Sequence, residues 1–142
     1  MSSYIHATPE SGKDFYMQFN DKGKVVMLNL LKFRETADYS GHENIAPAGP
    51  ISGKEAYQLY INHTLPILEK AGARVIFMGQ SNGFLIGPEA EKWDLVLLVE
   101  HESVTTFMAF AQNEEYLKGA GHRTAALADS RLLPSNAIQN LT

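Results

Sequence analysis

The chain has 142 residues, a formal net charge of −4, 44% hydrophobic and 20% charged residues, and no cysteine. That length fits one domain with a core of its own, and the missing cysteine excludes disulfides, thiolate zinc sites and cysteine nucleophiles. Lys and Arg are scattered rather than striped, no apolar run approaches the ~20 residues of a membrane span, and the first ten residues lack a signal-peptide pattern. The expectation is a soluble cytoplasmic protein that binds neither nucleic acid nor membrane.

In chain order, Thr8-Pro9 predicts a helix start, because the hydroxyl caps and proline is tolerated at the first helical position; the helix runs to about Phe19. After the turn at Asn20-Asp21-Lys22-Gly23, the run VVMLNLLKF from Val25 to Phe33 reads as a buried strand. Residues 34–50, with Gly41, Pro47, Gly49 and Pro50, form a long loop that suits a lid, a dimer arm or a plain surface excursion. Ser52 and Glu55 make a capping box for a helix to about Ala71, stopped by Gly72. On it Ala56, Tyr57, Tyr60, Ile61, Thr64, Ile67, Leu68 and Ala71 share one stripe, and Pro66 predicts a kink near His63.

Residues 74–81 and 93–101 read as two antiparallel strands, with Asn82-Gly83 and Gly87-Pro88 turning between them and room for a small extra strand at 84–86. Ser103 caps a helix whose buried side is Val104, Phe107, Met108, Phe110 and Ala111, and Asn113 restarts a short helical turn through Tyr116 and Leu117. Gly119-Ala120-Gly121 reads as a flexible turn, 122–129 as helix, and 131–138 as holding a last strand that Pro134 confines to an edge or a bulge. Four strands and two principal helices in this order predict an α+β fold of the ferredoxin-like split βαβ type (βαββαβ). The expected single domain divides into an N-terminal helical extension (1–23), a core (24–134) and a tail (135–142). Because VVMLNLLKF and DLVLLVE are apolar on both faces, the sheet face without helices needs cover, and a two-fold homodimer through those faces is expected.

The stretches NLLKF (29–33), ISGKEAYQLY (51–60), NEEYLKGAGHRTAAL (113–127) and WDLVLLVE resemble the DUF1330 family, over roughly residues 24–134. That resemblance implies the dimeric α/β-barrel group, whose members include antibiotic-biosynthesis monooxygenases, muconolactone-isomerase-like enzymes and EthD-like proteins. It implies no reaction. His63-Thr64-Leu65-Pro66 is similar to the His and Pro pattern of EthD-like relatives, one residue longer than their His-x-Pro. The N-terminal helix and the loop before Ile51 depart from the family pattern.

Among residues that can carry chemistry, Arg123 comes first: on a helical 122–129 it falls on the side of Ala120 and Leu127, so its guanidinium needs an anionic ligand or an acid such as Glu100 or Asp94. It also matches the arginine that follows the Glu-Tyr element of the resembling family. His63, beside the expected kink, is the candidate general acid or base, against the commoner role of a hydrogen-bonded helix-edge histidine. His122 is expected at the surface near Asp129. Asn29 interrupts an apolar strand, so it either orients a substrate oxygen or satisfies a loop. Tyr60 and Tyr116, with Tyr39 and Tyr57, are candidate pocket walls or core residues, and Trp93 is a packing residue. No histidine pair or acidic cluster has metal-site spacing, and phosphate-loop and nucleophile-elbow patterns are absent, so no cofactor is expected, although spacing leaves haem ligation by one histidine open. Two functions suit these residues: a cofactor-independent enzyme or binder of a small acidic or aromatic organic molecule between helix and sheet, and a non-catalytic dimeric interaction module.

Overall fold

A computed structural model describes residues 2–142 of the chain. Its elements are α1 (Pro9–Phe19), β1 (Val25–Phe33), a single 3-10 turn (Glu43–Ile45), α2 (Gly53–Lys70), β2 (Arg74–Gln80), β3 (Leu95–His101), α3 (Val104–Ala111), α4 (Glu114–Ala126) and β4 (Leu127–Ser135). The sheet order is β2-β3-β1-β4 and each neighbouring pair is antiparallel. With the helices of α2 and of α3–α4 each linking two strands, this is the ferredoxin-like α+β fold.

Local chemistry explains the boundaries. Thr8, Ser52 and Ser103 each accept from the backbone N–H three residues on, closing capping boxes at the starts of α1, α2 and α3. At the end of α2 Gly72 takes φ 80°, which lets its own N–H reach Glu69 O and the Ala73 N–H reach Leu68 O, so a Schellman turn delivers the chain into β2. Pro66 sits inside α2 without ending it. Pro134 occurs in β4, an edge strand bonded only to β1, where a missing N–H costs no ladder partner on the outer side.

Three expectations need correction. Gly119-Ala120-Gly121 is not a turn: α4 runs through it without a break, and both glycines are buried. The helix then stops at Ala126, so residues 127–129 belong to β4 rather than to a helix. Leu127 sits opposite Phe33 across a register shift, and pairing with β1 replaces the helical bonds at that point. Residues 84–86 form no strand. The 81–94 connection closes through an isolated Gly83–Lys92 bridge and bonds between Ser81 and Asp94 and between Trp93 and Asn82, leaving Leu85 100% and Ile86 91% exposed beyond them.

The period of two along each strand separates the faces. Val25, Met27 and Leu31 of β1 and Leu97, Val99 and His101 of β3 are buried on the helix side. Leu68, Ala73 and Phe110 complete the core over β3, Phe19 and Val104 the core over the start of β1, and Tyr57, Tyr60, Ala126 and Leu127 the core over its end. Val26, Leu28, Leu30, Val96 and Leu98 alternate with these and face away from the helices, only half-buried, beside Phe77 and Leu133, which are exposed. No helix among the described residues is long and apolar enough to cross a membrane.

Candidate functional site

The site is built around α4. Glycine has a low helical propensity, so two of them in one helix need a reason. At Gly119 a Cβ would lie 2.1 Å from His63 Cδ2, because the imidazole of α2 rests directly on the α4 backbone. At Gly121 a Cβ would lie 2.8 Å from both His42 Nδ1 and Ile45 Cδ1, which belong to the loop after β1. A third contact of this kind is at Gly53, the first residue of α2, where a Cβ would meet the carbonyls of Arg34 and Ala126 at 2.3 and 2.6 Å. The backbone donates from Arg34 to Ala126 O, from Asp38 to Ala125 O and from Ala37 to Ile51 O, so the loop is tied to the end of α4 rather than free.

His63 Nε2 donates to the Glu115 carbonyl, which fixes its tautomer and clamps α2 to α4. The ring is away from the cleft described below. His122 is not a surface residue beside Asp129: its Nδ1 is 2.7 Å from the Tyr39 hydroxyl, and the rings meet edge to face. Burial, and then repulsion from nearby His63, hold the His122 imidazole below its usual range, while burial raises the Tyr39 phenol. The two share an uncharged hydrogen bond at neutral pH.

Tyr60 and Tyr116 join their hydroxyls at 3.0 Å, linking α2 to α4 a second time. Tyr57, 4% exposed, makes no side-chain hydrogen bond among the described residues. Burial pushes the Tyr57 and Tyr60 phenols far up, only partly opposed by the positive charge of Arg123, so both remain neutral donors. Asn29 turns its amide along the sheet, Nδ2 donating to the carbonyls of Met27 and Leu97 at 3.2 Å each. Trp93 is buried and holds Glu91 through its indole N–H.

Arg123 lies at the wall of a cleft of about 530 Å³ between α4, the loop around His42 and Ile45, and the N-terminal segment at His6. The pairing with Glu100 or Asp94 weighed from the sequence is not formed. Glu100 serves Arg74 and Lys24, and the Asp94 carboxylate accepts the Phe33 N–H. Arg123 instead donates Nη1 to Ile5 O at 2.7 Å and Nη2 to Ser130 Oγ at 3.5 Å, and no carboxylate among the described residues pairs with it. Its neighbours in the wall include Tyr116, Lys118 and Thr124, with no Asp or Glu among the lining residues. Of the sequence candidates, then, Arg123 and Tyr116 share a cavity, Tyr60 supports Tyr116 from behind, and His63 and Asn29 lie elsewhere. His6, His42 and Ile5 gave no warning, because segments without periodicity do not reveal what they fold against. The one available signal was the pair of glycines, had they been read as contacts on a helix.

Such a wall suits an anion: a guanidinium and an ammonium give charge, a threonine and a tyrosine give direction, and nothing repels a carboxylate. Among the described residues no group of three His, Cys, Asp or Glu side chains is placed to hold a metal ion.

The methylated RPA0582 protein has a solved structure 32% identical in sequence, covering 98% of both chains, with a TM-score of 0.86. The RPA0582 protein of unknown function from Rhodopseudomonas palustris is also 32% identical, covering 98% of this chain and 100% of the other, with a TM-score of 0.84. A dimeric protein of unknown function and ferredoxin-like fold from Bacteroides fragilis NCTC 9343 is 14% identical over 81% of this chain and 97% of that one, with a TM-score of 0.49. Among curated proteins none matches. The model of a domain of unknown function, DUF1330, matches residues 45–134, a span that holds α2, the whole α3–α4 layer and the cleft wall from Ile45 onward, and the chain belongs to that family.

Proposed function

We propose that the chain binds a small organic anion, an aromatic or short aliphatic carboxylate, in the cleft at Arg123, and that two copies associate through the open faces of their sheets. One observation carries the binding reading: a half-buried guanidinium on a cleft of about 530 Å³ without a carboxylate partner among the described residues. A buried charge needs compensation, and a neutral carbonyl compensates it less than a carboxylate does. Arg123 takes the anion, Lys118 adds long-range attraction, Tyr116 gives an aromatic wall and Thr124 a hydroxyl. His63 is assigned to positioning α4 and not to proton transfer, since its Nε2–H is committed to Glu115. No reaction is assigned. The test is calorimetric titration with benzoate and with its neutral isostere benzamide. Benzoate alone should bind, and Arg123→Ala should abolish binding while the melting curve stays cooperative; equal affinity for the two probes would remove the anion role.

The association reading rests on the half-buried row Val26, Leu28, Leu30, Val96 and Leu98, which monomers rarely leave open. Native mass spectrometry at micromolar concentration should give twice the chain mass, and a monomer would reject it. The exposed Phe84, Leu85 and Ile86 favour a second reading, in which the dimer is an interaction module and 81–94 its contact arm. Replacing Leu85 and Ile86 by Ser separates the two: benzoate affinity should be untouched if the cleft is the functional site.

A further inference from the structure

The acceptor that Arg123 uses is supplied by the N-terminal segment, outside the residues that the family model matches. That segment is held at several points. The Tyr4 N–H donates to Asp129 Oδ1 at 2.8 Å, and the Ser130 hydroxyl donates to the Tyr4 carbonyl. The Arg131 guanidinium lies 4.8 Å from the centre of the Tyr4 ring and 4.9 Å from that of Trp93, so tyrosine, arginine and tryptophan form a stack at the sheet edge. Ile5 packs partly buried against the core of Tyr57, Tyr60 and Leu127, and His6 reaches the cleft wall. Residues 4–6 are thus a strap laid across the open side of α4.

We propose that this strap is a gate on the anion site: the Ile5 carbonyl occupies the guanidinium in the empty protein, and a carboxylate ligand takes its place, so that ligand entry and strap release are one event. The inference rests on the anion reading above. Its physical basis is the ranking of acceptors. Arg123 makes two side-chain hydrogen bonds, one of them long, which leaves part of its donor fork unused, and a carboxylate offers two charged oxygens where the strap offers one neutral oxygen. Apart from the Ile5 carbonyl on Arg123, the strap's hydrogen bonds run to β4, at Asp129 and Ser130, rather than to α4. A ligand can therefore displace the segment without disturbing α4.

The chain has no cysteine, so Ser3→Cys gives one site for a spin label. In the labelled full-length protein the label should be immobile, and saturating benzoate should mobilise it along the same curve as binding. Arg123→Ala should mobilise it with no ligand present, because the Ile5 carbonyl loses its donor. Tyr4→Ala removes the stack on Arg131 but touches neither Arg123 nor the cleft, and it should tighten benzoate by on the order of fivefold, the factor expected from one lost cation–π contact. If benzoate binds the unsubstituted protein and Tyr4→Ala equally well, or if Arg123→Ala leaves the label immobile, the gate is overturned and the anion site stands. If benzoate binds neither the unsubstituted protein nor Tyr4→Ala, the anion reading fails and the gate fails with it.

Discussion

The two sides of α4 are built on opposite rules. Toward α2 there is no space: an imidazole lies on Gly119, two tyrosine hydroxyls meet, and the end of the helix stacks against the backbone of Gly53. Toward the N-terminal segment there is a cleft of about 530 Å³, a guanidinium held by one backbone oxygen and one distant hydroxyl, and a loop touching Gly121. The closed side fixes where the helix sits, and so fixes where the open side presents Arg123. In the binding proposed above, the rigid first contact is what would let a ligand replace the second without loss of the fold.

The contrast breaks most visibly at Gly53. Its Cβ would strike backbone atoms of Arg34 and Ala126, which cannot rotate away, so Gly53→Ala should cost about 3 kcal/mol, read by denaturant unfolding. Gly119→Ala comes next, and its sign is diagnostic. A glycine replaced by alanine inside a helix ordinarily gains about 1 kcal/mol, whereas here about 2 kcal/mol should be lost because His63 has to leave the Glu115 carbonyl. In the His63→Ala background the same substitution should cost much less, and additive losses in that double-mutant cycle would show that the ring is not what the glycine accommodates.

Acid should weaken the closed interior of the helix layer through one buried imidazole. His101 is 2% exposed, stacked on Phe107 and Phe110, with Nδ1 unpartnered among the described residues, and burial lowers its pKa to about 4 from the ordinary 6.5. The folded protein thus binds its proton later than the unfolded chain, so stability is complete above pH 6.5 and falls as pH drops toward 4. The loss should reach about 2 kcal/mol a little over halfway down that range. In His101→Leu the slope of unfolding free energy between those two pH values should flatten. The smallest effect is expected on the open side. Gly121→Ala meets the His42 ring and the end of Ile45, side chains of a loop rather than fixed backbone, so about 1 kcal/mol should be lost as the loop shifts, with benzoate affinity changing more than stability does.

The difference between the two sides also explains what could be read in advance. The stripe on α2, the capping box at Ser52, the cap at Ser103, the stop at Gly72 and the edge position of Pro134 are local patterns, and local patterns survive in a one-dimensional string. Arg123 was legible as a residue directed inward because helical phase alone puts it beside Ala120. Its partners were not, since Glu100 and Asp94 are occupied by groups that only the sheet register brings near them. The glycines of α4 misled for a related reason. Propensity counts their cost and says nothing of the two imidazoles whose approach they allow. His122 was misplaced by extending that helix three residues too far, which set Asp129 on the same face as an artefact of phase.

The central position of β1 has a consequence for how the protein comes into being. Its two neighbours are the third and fourth strands, and Val26 lies opposite both Glu100 and Ser135, partners separated from it by most of the chain. During synthesis the VVMLNLLKF segment therefore leaves the ribosome long before either flanking strand exists: its backbone has nothing native to pair with until residues 95–101 have emerged, and its second edge stays open until residues 127–135 follow. Loop closure over such spans makes assembly slow, and the waiting strand is an attractive surface for chaperones and for other unfinished copies of itself. The last nine residues of the sheet decide when the first nine become safe.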